Sequence, residues 1–203
     1  MDKEAKDKLL AASVPLFAEK GFAAVSIREV ADAAGVNSAL ISYYFGGKAG
    51  LYEAVLNQQF SVIAAFLQSL RTQPLTPPEK IRGYAKAVAQ AHQREPHLIY
   101  LWFREMAEPS SPFRHIIVEK IAMAAQFLRE TLLEGVRLGL FRAEVVPEYA
   151  VIGLAGMMNF FFAARPALAQ MMPQMLLENE QYVETMAELF LHAVEKSERS
   201  DAQ

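Results

Sequence analysis

The chain has 203 residues, 53% hydrophobic and 21% charged, which suits one or two domains with a buried core and argues against disorder. It contains no Cys, which excludes disulfides, thiolate metal sites and a Cys nucleophile. A formal charge of −3 and a pI near 5.9 argue against a broadly basic nucleic-acid-binding surface.

The first ten residues, MDKEAKDKLL, are charged throughout and lack the apolar stretch of a signal peptide. Apolar residues then recur at helical spacing along nearly the whole chain. Leu9, Ala12, Leu16 and Phe17 share a face of a first helix, about residues 3–20. Gly21 follows as a left-handed cap, and Pro15 predicts a kink or a loosened turn. Ser26 followed by Glu29 is a capping box, opening a second helix that ends at Gly35. A short third helix spans about 37–44, with Ile41, Tyr44 and Phe45 facing inward, and Gly46-Gly47 breaks the chain. Longer helices are expected at about 51–71, 77–94, 96–108, 111–139, 147–170 and 179–196, with a frayed tail over 197–203. The fold class is therefore all-α, about nine helices. A small N-terminal three-helix unit, residues 1–48, precedes a larger helical bundle, residues 49–203.

The second and third helices are joined by Ala34-Gly35-Val36, which is helix-turn-helix spacing. In that motif the second helix enters the major groove of DNA. Removing its inward residues leaves Asn37, Ser38, Ala39, Leu40, Ser42 and Tyr43 as an uncharged reading face. An ordinary helical hairpin shows the same spacing. The order of residues decides between the two. Leu16-Phe17-Ala18-Glu19-Lys20-Gly21-Phe22, Ser26, Val30-Ala31, Ala34-Gly35-Val36, Tyr43-Tyr44-Phe45, Lys48 and Leu51 together resemble the DNA-binding domain of the TetR family of bacterial transcriptional regulators.

The resemblance implies roles position by position. Ser26 touches a phosphate while capping its helix, and the cap alone is worth about 1 kcal/mol. Arg28, the only Arg in the first 70 residues, contacts bases or backbone. Ser38, Ala39 and Leu40 begin the recognition helix, Ala39 and Leu40 offering apolar contact. Tyr43 meets a phosphate or base, Tyr44 divides between core and phosphate, and Lys48 meets a phosphate at the start of the fourth helix. Two departures matter. Ser42 stands where an aromatic is common, and Leu40 where a small residue is common. No operator sequence can be borrowed from a relative. Gly46-Gly47 is also looser than the usual polar pair. Residues 1–50 carry six basic and six acidic groups, so contact with about two to four phosphates per subunit is expected.

The C-terminal half resembles the family only in general design. Residues 147–177 carry only Glu148 and Arg165 as charges, and a helix apolar on every side must be buried on every side. A homodimer is expected through Val151, Leu154, Ala155, Met158, Phe161, Met186, Leu189, Phe190 and Ala193. The uncharged run from Tyr149 to Ala164 is 16 residues, short of the roughly 20 that cross a bilayer. A cytoplasmic protein without a membrane partner is the expectation. Candidate lining residues for a small-molecule effector are Tyr84, Tyr100, Trp102, Phe103, Met106, Phe127, Asn159 and Phe162. Arg104 is a possible anchor for an anion, or else a partner of Glu105, Glu108 or solvent. The four His have no metal-ligand spacing, and neither a phosphate-cradling loop nor a Ser-His-Asp arrangement is evident. The reading is a non-enzymatic, cofactor-free regulator, most simply a repressor, that binds a palindromic operator and is released by an apolar or aromatic effector. The alternative is a helical adaptor without specific DNA binding.

Overall fold

The computed structural model describes residues 2–172 and 179–196. The expected tail at 197–203 lies outside them. Nine helices occur among the described residues: α1 (Asp2–Ala24), α2 (Ile27–Ala34), α3 (Ala39–Phe45), α4 (Lys48–Thr72), α5 (Pro77–Arg94), α6 (Leu98–Ala107), α7 (111–137), α8 (Pro147–Met171) and α9 (Asn179–Val194). No strand forms among these residues, only an isolated bridge between Phe141 and Glu195.

Local chemistry explains the boundaries. Thr76 and Glu79 close the start of α5, the Glu79 carboxylate accepting from the Thr76 backbone N–H at 2.7 Å. Pro147 occupies the first position of α8, where its missing N–H costs nothing. The expected disturbance at Pro15 is absent: Gly21 is the one residue inside α1 with non-helical backbone angles. Within α7 the segment Ile117–Ile121 is π-helical, between α-helical segments Ser111–Ile116 and Ala122–Arg137.

Packing divides the chain into two units, Met1–Val62 with Arg94–Ala122, and Ile63–Gln93 with Met123–Gln203. The first buries Leu9, Phe17, Val30, Ile41, Tyr52, Leu56, Leu101 and Phe113. It is larger than residues 1–48 because α6 and the start of α7 pack in the same unit as α1 and α4. The second buries Leu67, Ile81, Val88, Leu128, Leu132, Leu154, Met158, Val183 and Leu191.

Helix α8 corrects one expectation. Its uncharged run is 16 residues, but the helix holding it is 25, long and apolar enough by length and composition to cross a membrane. In the second unit it instead buries Leu154, Met158, Phe161 and Phe162 along one side.

Candidate nucleic-acid interface

The helix-turn-helix is shaped by three local devices, one at the start of α2 and two in the turn between α2 and α3. Ser26 Oγ accepts from the Glu29 backbone N–H at 3.1 Å, and Glu29 Oε2 accepts from the Ser26 N–H at 3.5 Å, closing the expected capping box. Gly35 sits at φ 65°, ψ 35°, the left-handed cap that a Cβ disfavours. Asn37 Oδ1 accepts from the Ala39 N–H at 2.8 Å, an Asx turn that starts α3. Asn37, expected as a base reader, is the residue whose side chain caps the start of α3. Ser38 makes no capping side-chain bond.

Val30, Ala31 and Ile41 point into the core. Asn37, Ser38, Ala39, Ser42 and Tyr43 are exposed on the opposite side, and Leu40 is half-buried. Tyr43 is 72% exposed, its ring edge-on to Tyr44 at 4.9 Å. Tyr44 and Phe45 are half-buried and also meet edge-on, at 6.3 Å. The exposed side of α3 is therefore uncharged, with the half-buried rings of Tyr44 and Phe45 packed beside Tyr43.

The cations around this face differ in how far they are already committed. Lys20 pairs with Glu29, which holds the carboxyl below its usual range. Lys8 pairs with Glu4 at 2.8 Å. Lys48 begins α4, donates to the Ala23 carbonyl at 3.0 Å and lies 4.8 Å from the Phe22 ring centre. Arg28 is exposed and has no hydrogen-bond or ionic partner among the described residues.

Helix α6 braces this head from behind. Arg104 donates from Nη2 to the Glu19 carbonyl at 2.8 Å, near the end of α1, where carbonyls lack helical partners. Its side chain lies against Gly21, where an added Cβ would come within 2.8 Å of Arg104 Cδ. Gly21 itself has φ 78° and ψ 167°, a region open essentially to glycine alone. The next residue, Glu105, is 2% exposed; its carboxylate accepts from Tyr52 Oη at 2.5 Å and from the Ser110 N–H at 2.8 Å. Burial, then this bond, raises the Tyr52 hydroxyl well above its usual pKa. Arg104, itself exposed, is thus committed to α1 through the Glu19 carbonyl. Sequence reading missed it because its partner is a backbone carbonyl 85 residues away.

Residues 9–55 match the family described as bacterial regulatory proteins, tetR family, and residues 74–162 match the tetracyclin repressor-like C-terminal domain. The chain belongs to the TetR family of bacterial transcriptional regulators. It is 42% identical over 69 residues to a probable regulator of Bacillus subtilis, YttP, covering 34% of this chain and 33% of that one. It is 25% identical over 170 residues to the repressor NicS of Pseudomonas putida, covering 81% and 78%. Its fold resembles that of HlyIIR, a hemolysin II transcriptional regulator, with a TM-score of 0.71, 22% identity, and 97% and 100% of the two chains covered. AibR, solved with isovaleryl coenzyme A and operator DNA, gives a TM-score of 0.74 at 18% identity, covering 91% and 97%.

The effector residues divide between the two units. On α6, Tyr100, Phe103 and Met106 are each more than 40% exposed, and Trp102 is half-buried with its ring 5.9 Å from Phe60. In the second unit Tyr84, Phe127 and Phe162 are buried and Asn159 is half-buried. Burial pushes the Tyr84 hydroxyl up to about 12. Asn159 Oδ1 lies 3.0 Å from His92 Nε2, and Asn159 Nδ2 donates to the Ala155 carbonyl at 2.9 Å. An amide oxygen accepts, so Nε2 carries the proton and Nδ1 is a bare acceptor. Nδ1 is buried without a partner, and the ring rests 4.1 Å from that of Phe162. Burial lowers the His92 pKa against the opposing pull of the Asn159 bond. His92 was not among the expected lining residues because a lone His gives no spacing signal.

The expected dimer residues also need correction. Leu154, Met158, Phe161 and Phe190 are buried within the chain itself and have no surface to offer a partner. Val151, Ala155 and Met186 are half-buried, while Leu189 and Ala193 are exposed. The open side of α8 carries Tyr149, Ile152, Gly156, Phe160, Ala167 and Met171, spaced three or four residues apart apart from one seven-residue step. A largely apolar helix has no polar face to mark which side packs inward, so the sequence did not separate the buried side of α8 from its exposed side.

Proposed function

We propose that this protein is a homodimeric repressor that reads a palindromic operator with α3 and is released by a small apolar or aromatic effector. The observation that carries the reading is the exposed, uncharged face Asn37, Ser38, Ala39, Ser42 and Tyr43, presented by a capped helix on a braced head. Base edges are read from such a face by hydroxyl, amide and apolar contacts, with Arg28 and Lys48 supplying charge at its edges. NicS is named a repressor, and AibR was solved with an acyl coenzyme A and operator DNA. The first name supports repression, and the second complex supports an effector-responsive DNA-binding role.

The open stripe of α8, with Leu189 and Ala193 of α9, supports dimerisation. Contiguous exposed apolar surface of this kind marks an interaction site, and small residues at Gly153 and Gly156 let a second backbone approach. A two-fold dimer places two α3 helices on two half-sites of one duplex. Effector binding shifts the equilibrium only by its difference in affinity for the DNA-competent and DNA-free states. Helix α4 is the covalent relay, since it starts at Lys48 beside the reading head and runs on to Thr72.

The test is anisotropy titration of a duplex enriched by the wild-type chain. Arg28→Ala and Tyr43→Ala are each expected to weaken specific binding by about 1–3 kcal/mol while circular dichroism stays unchanged. Undiminished specific binding by the double variant would overturn the assignment of the reading face.

A further inference from the structure

We propose that Lys6 of α1, a residue outside the helix-turn-helix, is a phosphate contact that closes the C-terminal edge of the operator-binding surface. The proposal rests on the operator reading above. Lys6 is exposed, and its ammonium lies 5.7 Å from the ring centre of Phe45, the last residue of α3. Phe45 meets Tyr44 edge-on, and Tyr44 meets Tyr43, so a continuous run of rings leads from Lys6 to the exposed reading tyrosine. No carboxylate lies within ion-pair distance of Lys6 among the described residues; neighbouring Glu4 is taken by Lys8.

The electrostatics of α3 favour a cation there. A recognition helix lays its N-terminal residues on base edges, which turns its C-terminal end toward a flanking backbone. That end carries the negative pole of the helix dipole and repels phosphate. Helix α3 has no basic residue of its own, and Gly46-Gly47 follow it. Lys48, which follows them, supplies charge at this edge while donating one bond to the Ala23 carbonyl. Lys6 is a second cation that the fold brings over this end from a distant part of the sequence.

The experiment is anisotropy titration, across a salt series, of a duplex enriched from a random-sequence pool by the wild-type full chain. Lys6→Met keeps an apolar stem on Phe45 and removes the charge. It is expected to bind about three- to tenfold more weakly at ~0.1 M salt and to lower the log–log salt slope by about 0.9 per bound subunit. The preference for specific over random duplex should stay unchanged, because a phosphate contact carries no sequence information. Lys6→Arg should restore both affinity and slope. A purely structural role would lower the melting temperature of Lys6→Met and leave the slope intact, and that result overturns the proposal. So does an unchanged affinity and slope. A wild-type chain that enriches no duplex would instead overturn the operator reading, and the proposal with it.

Discussion

The structural role of Ser26 and its proposed role on DNA can be separated. Ser26 both caps α2 and stands where the family meets a phosphate. Asp caps as well as Ser but repels phosphate, so Ser26→Asp should keep the melting temperature and lose DNA affinity. Ser26→Ala should lose about 1 kcal/mol of stability as well. Gly21 is constrained twice, by its backbone angles and by Arg104. Gly21→Ala should destabilise the first unit by about 1–3 kcal/mol, visible as a melting temperature lower by several degrees. If that variant melts like wild type, the strain assigned to Gly21 is wrong. The sequence marked Gly21 as a positive-φ position but as a left-handed cap, whereas it sits inside α1 at ψ 167° with Arg104 arriving from α6.

At the scale of helices, two buried polar contacts hold neighbours in register. Tyr52 of α4 donates to Glu105 of α6, and removing that donor leaves a buried carboxylate oxygen unpaired. Tyr52→Phe should therefore cost about 1–3 kcal/mol in chemical denaturation, more than loss of a surface hydroxyl. His92 of α5 meets Asn159 of α8 as a neutral ring. Its folded pKa lies below the ordinary value near 6.5, so the unfolded chain takes up a proton first as pH falls. Stability contributed by neutral His92 is thus full above about pH 6.5 and declines from there toward the lowered folded value. The melting temperature of wild type should fall more steeply than that of His92→Phe between about pH 6.5 and 5.5. Parallel curves would contradict this account of the imidazole.

The helices themselves were legible because their signals are local. Pro77, Pro112 and Pro147 mark starts, Gly35 and Gly46 mark stops, and the period of about 3.6 fills the spans between them. The π-helical segment at Ile117–Ile121 was not legible, since its i→i+5 bonding follows no residue pattern. The interior face of α8 was not legible either. Leu154 and Ile152 are equally apolar in sequence, and only packing against the rest of the second unit buries the first and exposes the second.

For the whole molecule the same helix carries the proposed dimer surface. Ile152 is 70% exposed and Phe160 64% exposed, a cost in water that a second subunit would remove. Ile152→Glu with Phe160→Glu should convert a dimer to a folded monomer by light scattering, with helix content retained. Leu154→Glu should instead unfold the second unit. A double variant that remains dimeric would move the seam elsewhere. Loss of the dimer should also weaken operator binding, because two half-sites then pay separately for association.

The central claim is that the exposed face of α3 reads sequence for a two-fold dimer. Its most direct test is selection of duplexes from a random-sequence pool by the full chain, followed by sequencing of what is retained. The account expects one enriched palindrome whose half-sites are separated by whole helical turns, lost when Arg28 and Tyr43 are replaced by Ala. A folded dimer that enriches no sequence, or enriches the same one without those side chains, would contradict it.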